Sequence, residues 1–137
     1  MGSKPTSVRG VIVKKNLTPL EKEEQSSFVE YCRTNGICVI STQNGFKMPR
    51  EGFNYSAYSA SLKKMGLAKG FPDLIIFEKN RSCTHEVLCL EMKRQKGGRL
   101  QPEQKEWVHL LDEKDYCVGV AAGCESAIKI LNNYLNS

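Results

Sequence analysis

Two short apolar runs, Leu74–Phe77 and Val87–Met92, are separated by a polar stretch from Glu78 to Glu86, and this pair constrains the chain more than any other feature. Each run is too short for a helix and ends in turn-forming residues, so the spacing predicts a β-hairpin in the middle of the sequence. Strand side chains alternate with period two, which sends Leu88, Leu90 and Met92 to one face and Cys89, Glu91 and Lys93 to the other. With the turn centred near Ser82, Phe77 falls opposite Val87 and Asp73 falls opposite Glu91. Directly opposed residues hold their Cβ atoms about 4.5–5.5 Å apart. Two carboxylates and a lysine therefore converge at one end of the hairpin. That convergence admits two readings. One is a cross-strand salt bridge between Lys93 and Asp73 or Glu91. The other is a divalent-cation site, because paired carboxylates repel unless a cation intervenes, and Mg²⁺ takes one or two carboxylates plus water and phosphate oxygens. Beside such a site Lys93 can offset the charge that develops on a phosphodiester during hydrolysis.

The flanking segments supply the rest of an α/β layer structure. Thr18-Pro19-Leu20-Glu21 reads as a capping box with proline at the first helical position, and the helix is expected to run to about Asn35 with Gly36 as its stop. Leu20, Glu24, Phe28, Tyr31 and Asn35 share one face of that helix. Glu24 is expected to face the protein, either snorkelling past the core edge or paired with a lysine, or else pointing into a polar site. Residues 37–42 read as a strand. Residues 43–70 are polar, with interleaved basic and aromatic residues and room for a short helix from Ala57 to Met65. A connection that long suits nucleic-acid contact or plain solvation. After the hairpin come a basic loop from Lys93 to Arg99, a helix from Pro102 to about Glu113, a strand from Tyr116 to Ala121 and a helix from Glu125 to Leu135. The main order is α-β-β-β-α-β-α, a mixed central sheet flanked by helices. Gln104 shares a helix face with Trp107, Val108 and Leu111, and a buried amide there must find polar partners. The Asp73, Glu91 and Lys93 cluster is the nearest candidate. His85, in the turn, and His109, on a helix flank, fall outside it.

Composition sets the outer limits. The 137 residues suit a single domain, taken as 18–137, after a basic arm over 1–17 that holds Lys4, Arg9, Lys14 and Lys15 and no acid. Lys and Arg number 20 against 15 Asp and Glu, and the net charge of +5 suggests a polyanionic partner without proving one. The six cysteines have no CxxC spacing, so structural thiols in a reducing compartment are expected rather than a zinc site or disulfides. No apolar run is long enough to span a membrane and no apolar leader is evident, so an intracellular protein, in the cytoplasm or nucleus of a host cell, is expected rather than a secreted one.

Gly70-Phe71-Pro72-Asp73 followed by Glu91-Met92-Lys93 resembles the PD-(D/E)XK nuclease signature. The approach from Lys63 to Leu74, the run Gly97–Trp107 with Gln104 inside it, the helical Glu23-Glu24-Gln25 and the ending Val118–Ala121 plus helix look like the VRR-NUC branch, over roughly residues 20–135. The resemblance implies a restriction-endonuclease-like core and Mg²⁺- or Mn²⁺-dependent DNA cleavage. Carried over by position, it makes Asp73, Glu91 and the Met92 carbonyl the metal ligands. It has Lys93 position or activate the attacking water, Gln104 orient Lys93 or the nucleophile, and Glu24 support the metal shell. Lys63, Lys64, Lys69, Arg94, Lys96 and Arg99 become candidate DNA contacts. The stand-alone members that this chain looks like, from viruses, phages and bacteria, resemble Holliday junction resolvases and are often homodimers. A flap-, nick- or single-strand-directed repair nuclease is the alternative, and a catalytically inert DNA-binding module a further one.

Overall fold

The central strand of the molecule is buried along its whole length, although it carries two charged residues. A computed structural model describes residues 18–42 and 54–137. The basic arm expected over 1–17 and part of the long polar connection, 43–53, lie outside the described residues. The elements are α1 (Glu21–Thr34), β1 (Val39–Ser41), α2 (Tyr55–Lys64), β2 (Leu74–Ile76), β3 (Leu88–Lys93), α3 (Pro102–Glu113), β4 (Cys117–Ala122) and α4 (Cys124–Leu135). The strands form one sheet in the order β1-β2-β3-β4. β1 and β2 pair antiparallel, β2 and β3 antiparallel, and β3 and β4 parallel. This is the mixed α/β sheet expected from the sequence, and the short helix expected in the long connection is α2.

The hairpin register places Leu74 opposite Leu90, Ile75 opposite Cys89 and Ile76 opposite Leu88. Continued by one residue, it sets Asp73 against Glu91, as the period-two reading expects. The turn holds this register with its own polar contacts. Asn80 is buried, its Oδ1 accepts from the His85 N–H at 2.9 Å, and its amide donates to Thr84 Oγ1 at 2.9 Å. The end of α4 ties down the same turn: Tyr134 Oη donates to the Glu78 carbonyl at 2.7 Å, and the Arg81 N–H donates to the Leu135 carbonyl at 3.0 Å.

One sheet face carries the core. Leu74, Ile76, Leu88, Leu90 and Met92 pack there against Phe28 and Cys32 of α1 and Ala127, Leu131 and Tyr134 of α4. Each fully buried Leu, Ile, Phe or Met side chain contributes about 1.5–3 kcal/mol by leaving water. The opposite face carries Cys89, Glu91 and Lys93, and α3 lies against it, because Gln104 bonds Glu91.

The start of α1 differs from the expectation. Leu20, not Thr18, occupies the N-cap, and Glu23 Oε1 accepts the Leu20 N–H at 2.8 Å. The Thr18 carbonyl instead accepts Arg94 Nη2 at 3.0 Å, which holds that residue outside the helix. The buried stripe accordingly runs Glu24, Phe28, Cys32, while Leu20 is exposed.

Glu24 faces inward, 5% exposed, and both its oxygens are engaged. Oε1 accepts the Cys124 N–H at 2.9 Å and Oε2 accepts Gln95 Nε2 at 2.9 Å. The first of these caps α4, whose own N-cap, Gly123, has no side chain to do so. A carboxylate there also meets the positive end of the helix dipole. Gly123 has φ +99°, and a Cβ on it would lie 2.7 Å from Gln95 Cγ and 3.2 Å from Glu24 Oε2, so the glycine makes room for this junction. Glu24→Ala should lower the unfolding free energy by about 1–3 kcal/mol, by leaving a buried N–H and an amide without their acceptor. A urea titration should show the lower midpoint, with Glu24→Gln losing less because it keeps one acceptor.

Candidate active site

The site lies where the C-terminal end of β3 meets the loop before β2, the N-terminus of α3 and the first turn of α1. Asp73 and Glu91 are 2% and 1% exposed. Asp73 ends the Gly70-Phe71-Pro72 loop, and its Oδ2 accepts the Met92 N–H at 2.8 Å. The Asp73 carbonyl accepts the Thr42 N–H at 2.8 Å, which anchors the loop to the end of β1. Main-chain donors thus hold Asp73 at both its carboxylate and its carbonyl.

Glu91 is held by α3. Gln104 Oε1 accepts the Gln101 N–H at 2.8 Å, closing the first turn of the helix, and Nε2 donates to Glu91 Oε2 at 2.9 Å. The cap fixes which end of the amide is the acceptor, so the NH₂ must face the carboxylate. α3 reaches this position because residue 70 is glycine. Gly70 has φ +87°, and a Cβ there would sit 2.7 Å from the Glu103 carbonyl carbon and 2.9 Å from the Gln104 nitrogen. Phe71 then packs edge-on against Trp107, ring centroids 5.0 Å apart at 76°.

Lys93 Nζ lies 3.7 Å from Glu91 Oε2 and 4.0 Å from Glu21 Oε1. Glu91 Oε1 is buried and has no hydrogen-bond partner among the described residues. Burial and the neighbouring Asp73 carboxylate push the Glu91 carboxyl up to about 8, with Lys93 pulling the other way. Glu21 is also raised, first by burial, with Lys93 opposing and Asp73 adding to the push.

Placement of the remaining candidates is mixed. Gln104 contacts Glu91 rather than Lys93, because its oxygen is committed to the α3 cap. Glu24 is committed to α4 and Gln95, and the α1 carboxylate that approaches Lys93 is Glu21. At the start of a helix an acid reads as a dipole or capping residue, and only the tertiary placement of α1 over β3 reveals the contact. Lys63, Lys64, Lys69, Lys96 and Arg99 are exposed, and Lys69 Nζ lies 3.5 Å from Glu103 Oε2. Arg94 is half-buried and reaches back to Thr18. His85 and His109 lie apart, beside Asp115 and Glu113 at 3.6 and 3.1 Å.

No group of three or more His, Cys, Asp or Glu side chains suited to a metal is present among the described residues. A Mg²⁺-type ion does not need one, since one or two carboxylates plus water and phosphate oxygens suffice. The donor set fits such an ion: two adjacent hard oxygen donors, one of them an orphaned buried oxygen, in a place where a single added positive charge relieves the repulsion.

The raised Glu91 carboxyl makes stability depend on pH. The folded state binds a proton that the unfolded chain has released between about pH 4.5 and 8, so stability falls as pH rises through that window. Thermal unfolding of the metal-free protein should show this decline, and Glu91→Gln should flatten it. Wild-type and Glu91→Gln profiles of equal slope across the window would contradict a raised Glu91 carboxyl.

Comparison with known proteins bears on the family and the fold. The family model for the VRR-NUC domain matches residues 51–125, more than half of the 137-residue chain. The match takes in Asp73, Glu91, Lys93 and Gln104 but not α1. A solved structure of a "VRR_NUC domain protein" is 24% identical, with a TM-score of 0.63, covering 87% of this chain and 90% of that chain, and it shows the shared fold. No curated protein matches the chain.

Proposed function

The chain belongs to the VRR-NUC family of nuclease-type domains, and from that premise we propose that it is a metal-dependent, structure-selective DNA endonuclease acting on four-way junctions. The observation that carries this reading is the buried Asp73–Glu91 pair, with an unpartnered oxygen on Glu91 and the Lys93 ammonium beside it. A salt bridge alone accounts less well for the site, because Lys93 pairs with Glu91 and with the half-exposed Glu21, while a second buried carboxylate, Asp73, lies opposite Glu91.

Asp73, Glu91 and the Met92 carbonyl would hold Mg²⁺ or Mn²⁺. When bound, the ion would supply Lewis-acid polarisation of the scissile phosphate and a water of lowered pKa. The chain's own residues do the positioning. The Met92 N–H orients Asp73, and Gln104 orients Glu91. Lys93 Nζ, held at the rim between Glu91 and Glu21, binds a phosphate oxygen or the attacking water and offsets the charge that builds up there. Glu21 limits the reach of Lys93, a role the sequence reading gave to no residue of α1.

DNA is the expected partner because exposed basic residues lie on the segments that precede Asp73 and follow Glu91 in the chain. Lys63 and Lys64 end α2, and Lys96 and Arg99 stand exposed on the loop after β3. Phosphate contacts of this kind give affinity without base readout, so selectivity is assigned to branch shape. A homodimer would supply two symmetric active sites for two symmetric cuts. Among the described residues no helix is long and apolar enough to cross a membrane.

Labelled four-way junction, flap, nicked duplex and single strand should be incubated with Mg²⁺ or Mn²⁺. The junction should be cut fastest. Lys93→Ala should lose at least about 100-fold in cutting, the scale of one lost charge-stabilising group, while binding the junction as before. Lys96→Ala and Arg99→Ala should weaken binding to all substrates and shallow its salt dependence. Absence of cutting with either metal would sink the nuclease reading. A monomer that prefers flaps or nicks would move the assignment to the repair-type alternative.

A further inference from the structure

We infer that the groove beside the Phe71–Trp107 pair receives an unpaired nucleobase of the bound strand. The inference rests on the nuclease reading above and names a substrate feature for that same site. The groove is about 620 Å³ and is walled by Leu62 and Lys63 of α2, Leu67 and Lys69 of the following loop, Phe71 and Trp107. That size lies within the range of pockets that enclose small organic ligands.

Three observations select the occupant. First, the walls combine aromatic rings and aliphatic side chains, a surface on which any base can stack through its π-face. Second, the ammonium groups stand where the backbone of such a nucleotide would leave the groove. Lys63 is exposed, and the Lys69 side chain is 76% exposed despite its 3.5 Å contact with Glu103, so that contact can be exchanged for a phosphate. A neutral apolar partner would have no use for that rim. Third, the groove adjoins the loop that ends at Asp73, since Gly70 and Phe71 line it. Thr42 lines it and also donates its N–H to the Asp73 carbonyl and its hydroxyl to the Pro72 carbonyl. A base in the groove therefore belongs to a nucleotide close to the phosphate presented to Asp73 and Glu91.

Duplex DNA keeps its bases stacked, and extruding one costs free energy that is least where pairing is already broken. A pocket for an unpaired base would thus favour branch points, ends and gaps over continuous duplex without reading sequence.

Trp107 is the only tryptophan in the chain and reports on the groove directly. The metal-free protein, kept from cutting by chelator, should be titrated with a short oligothymidylate, with the same oligonucleotide made abasic, and with a duplex of equal length. Binding is read by anisotropy of a label on the nucleic acid, and stacking by Trp107 emission. The oligothymidylate should quench Trp107 and bind about tenfold or more tightly than the abasic strand, the range for one stacked base. The duplex should bind without quenching. Ser59→Phe, on an exposed turn of α2 that lines the groove, should cut affinity for oligothymidylate to the abasic level and leave abasic binding unchanged. Equal affinity for the two strands would overturn the inference, as would a bound oligothymidylate that leaves Trp107 emission unaltered. Loss of quenching with cutting retained removes the groove assignment alone. Quenching without cutting of any DNA removes the nuclease reading alone.

Discussion

Two carboxylates buried side by side at the end of a central strand are the constraint on which the rest depends. Repulsion between Asp73 and Glu91 in a site from which water is excluded works against folding, and the surrounding structure is arranged to limit it. The Met92 N–H holds Asp73, the Gln104 amide holds Glu91, and Lys93 Nζ stands 3.7 Å from Glu91. One oxygen, Glu91 Oε1, is left without a donor. A proton or a cation completes the set, and a site that needs one of these is suited to chemistry on a phosphate. The protein tolerates this arrangement because the opposite face of the same strand packs fully into the core, through Leu88, Leu90 and Met92.

The N-terminus of α3 links fold to site. One amide, that of Gln104, closes the first turn of the helix and positions Glu91, so the helix cannot fray without releasing the carboxylate. Gly70 allows the loop before Asp73 to pass under that turn at a distance no side chain would permit. Phe71 and Trp107 pin the same loop from the other side and at the same time wall the groove assigned to an unpaired base. Positioning of the carboxylates and reception of the nucleotide therefore share one short piece of chain.

Much of this was legible in the sequence, for identifiable reasons. The hairpin register follows from period-two alternation and a short polar turn, and it alone sets Asp73 against Glu91. Gln104 stands out because an amide on an apolar helix face must have a partner. What stayed hidden depends on contacts between elements far apart in the chain. Glu24 was visibly inward, but its partner is the first N–H of α4, 100 residues away. Glu21 reads as an ordinary first-turn acid until α1 is laid over the end of β3. Helix α1 starts two residues later than the Thr18 capping pattern predicts, because Glu23 rather than a Thr18 hydroxyl closes its first turn. The helix in the long connection was expected near Ala57 and begins at Tyr55, where the Asn54 side chain accepts the Ala57 N–H at 3.0 Å.

The most direct test of the central claim is calorimetric titration of Mn²⁺ into the metal-free protein at neutral pH, side by side for the wild type, Glu91→Gln and Asp73→Asn. The account predicts saturable binding by the wild type that displaces a proton from the carboxyl pair, and loss of that binding in both variants. Isotherms that do not distinguish the wild type from Glu91→Gln would contradict it.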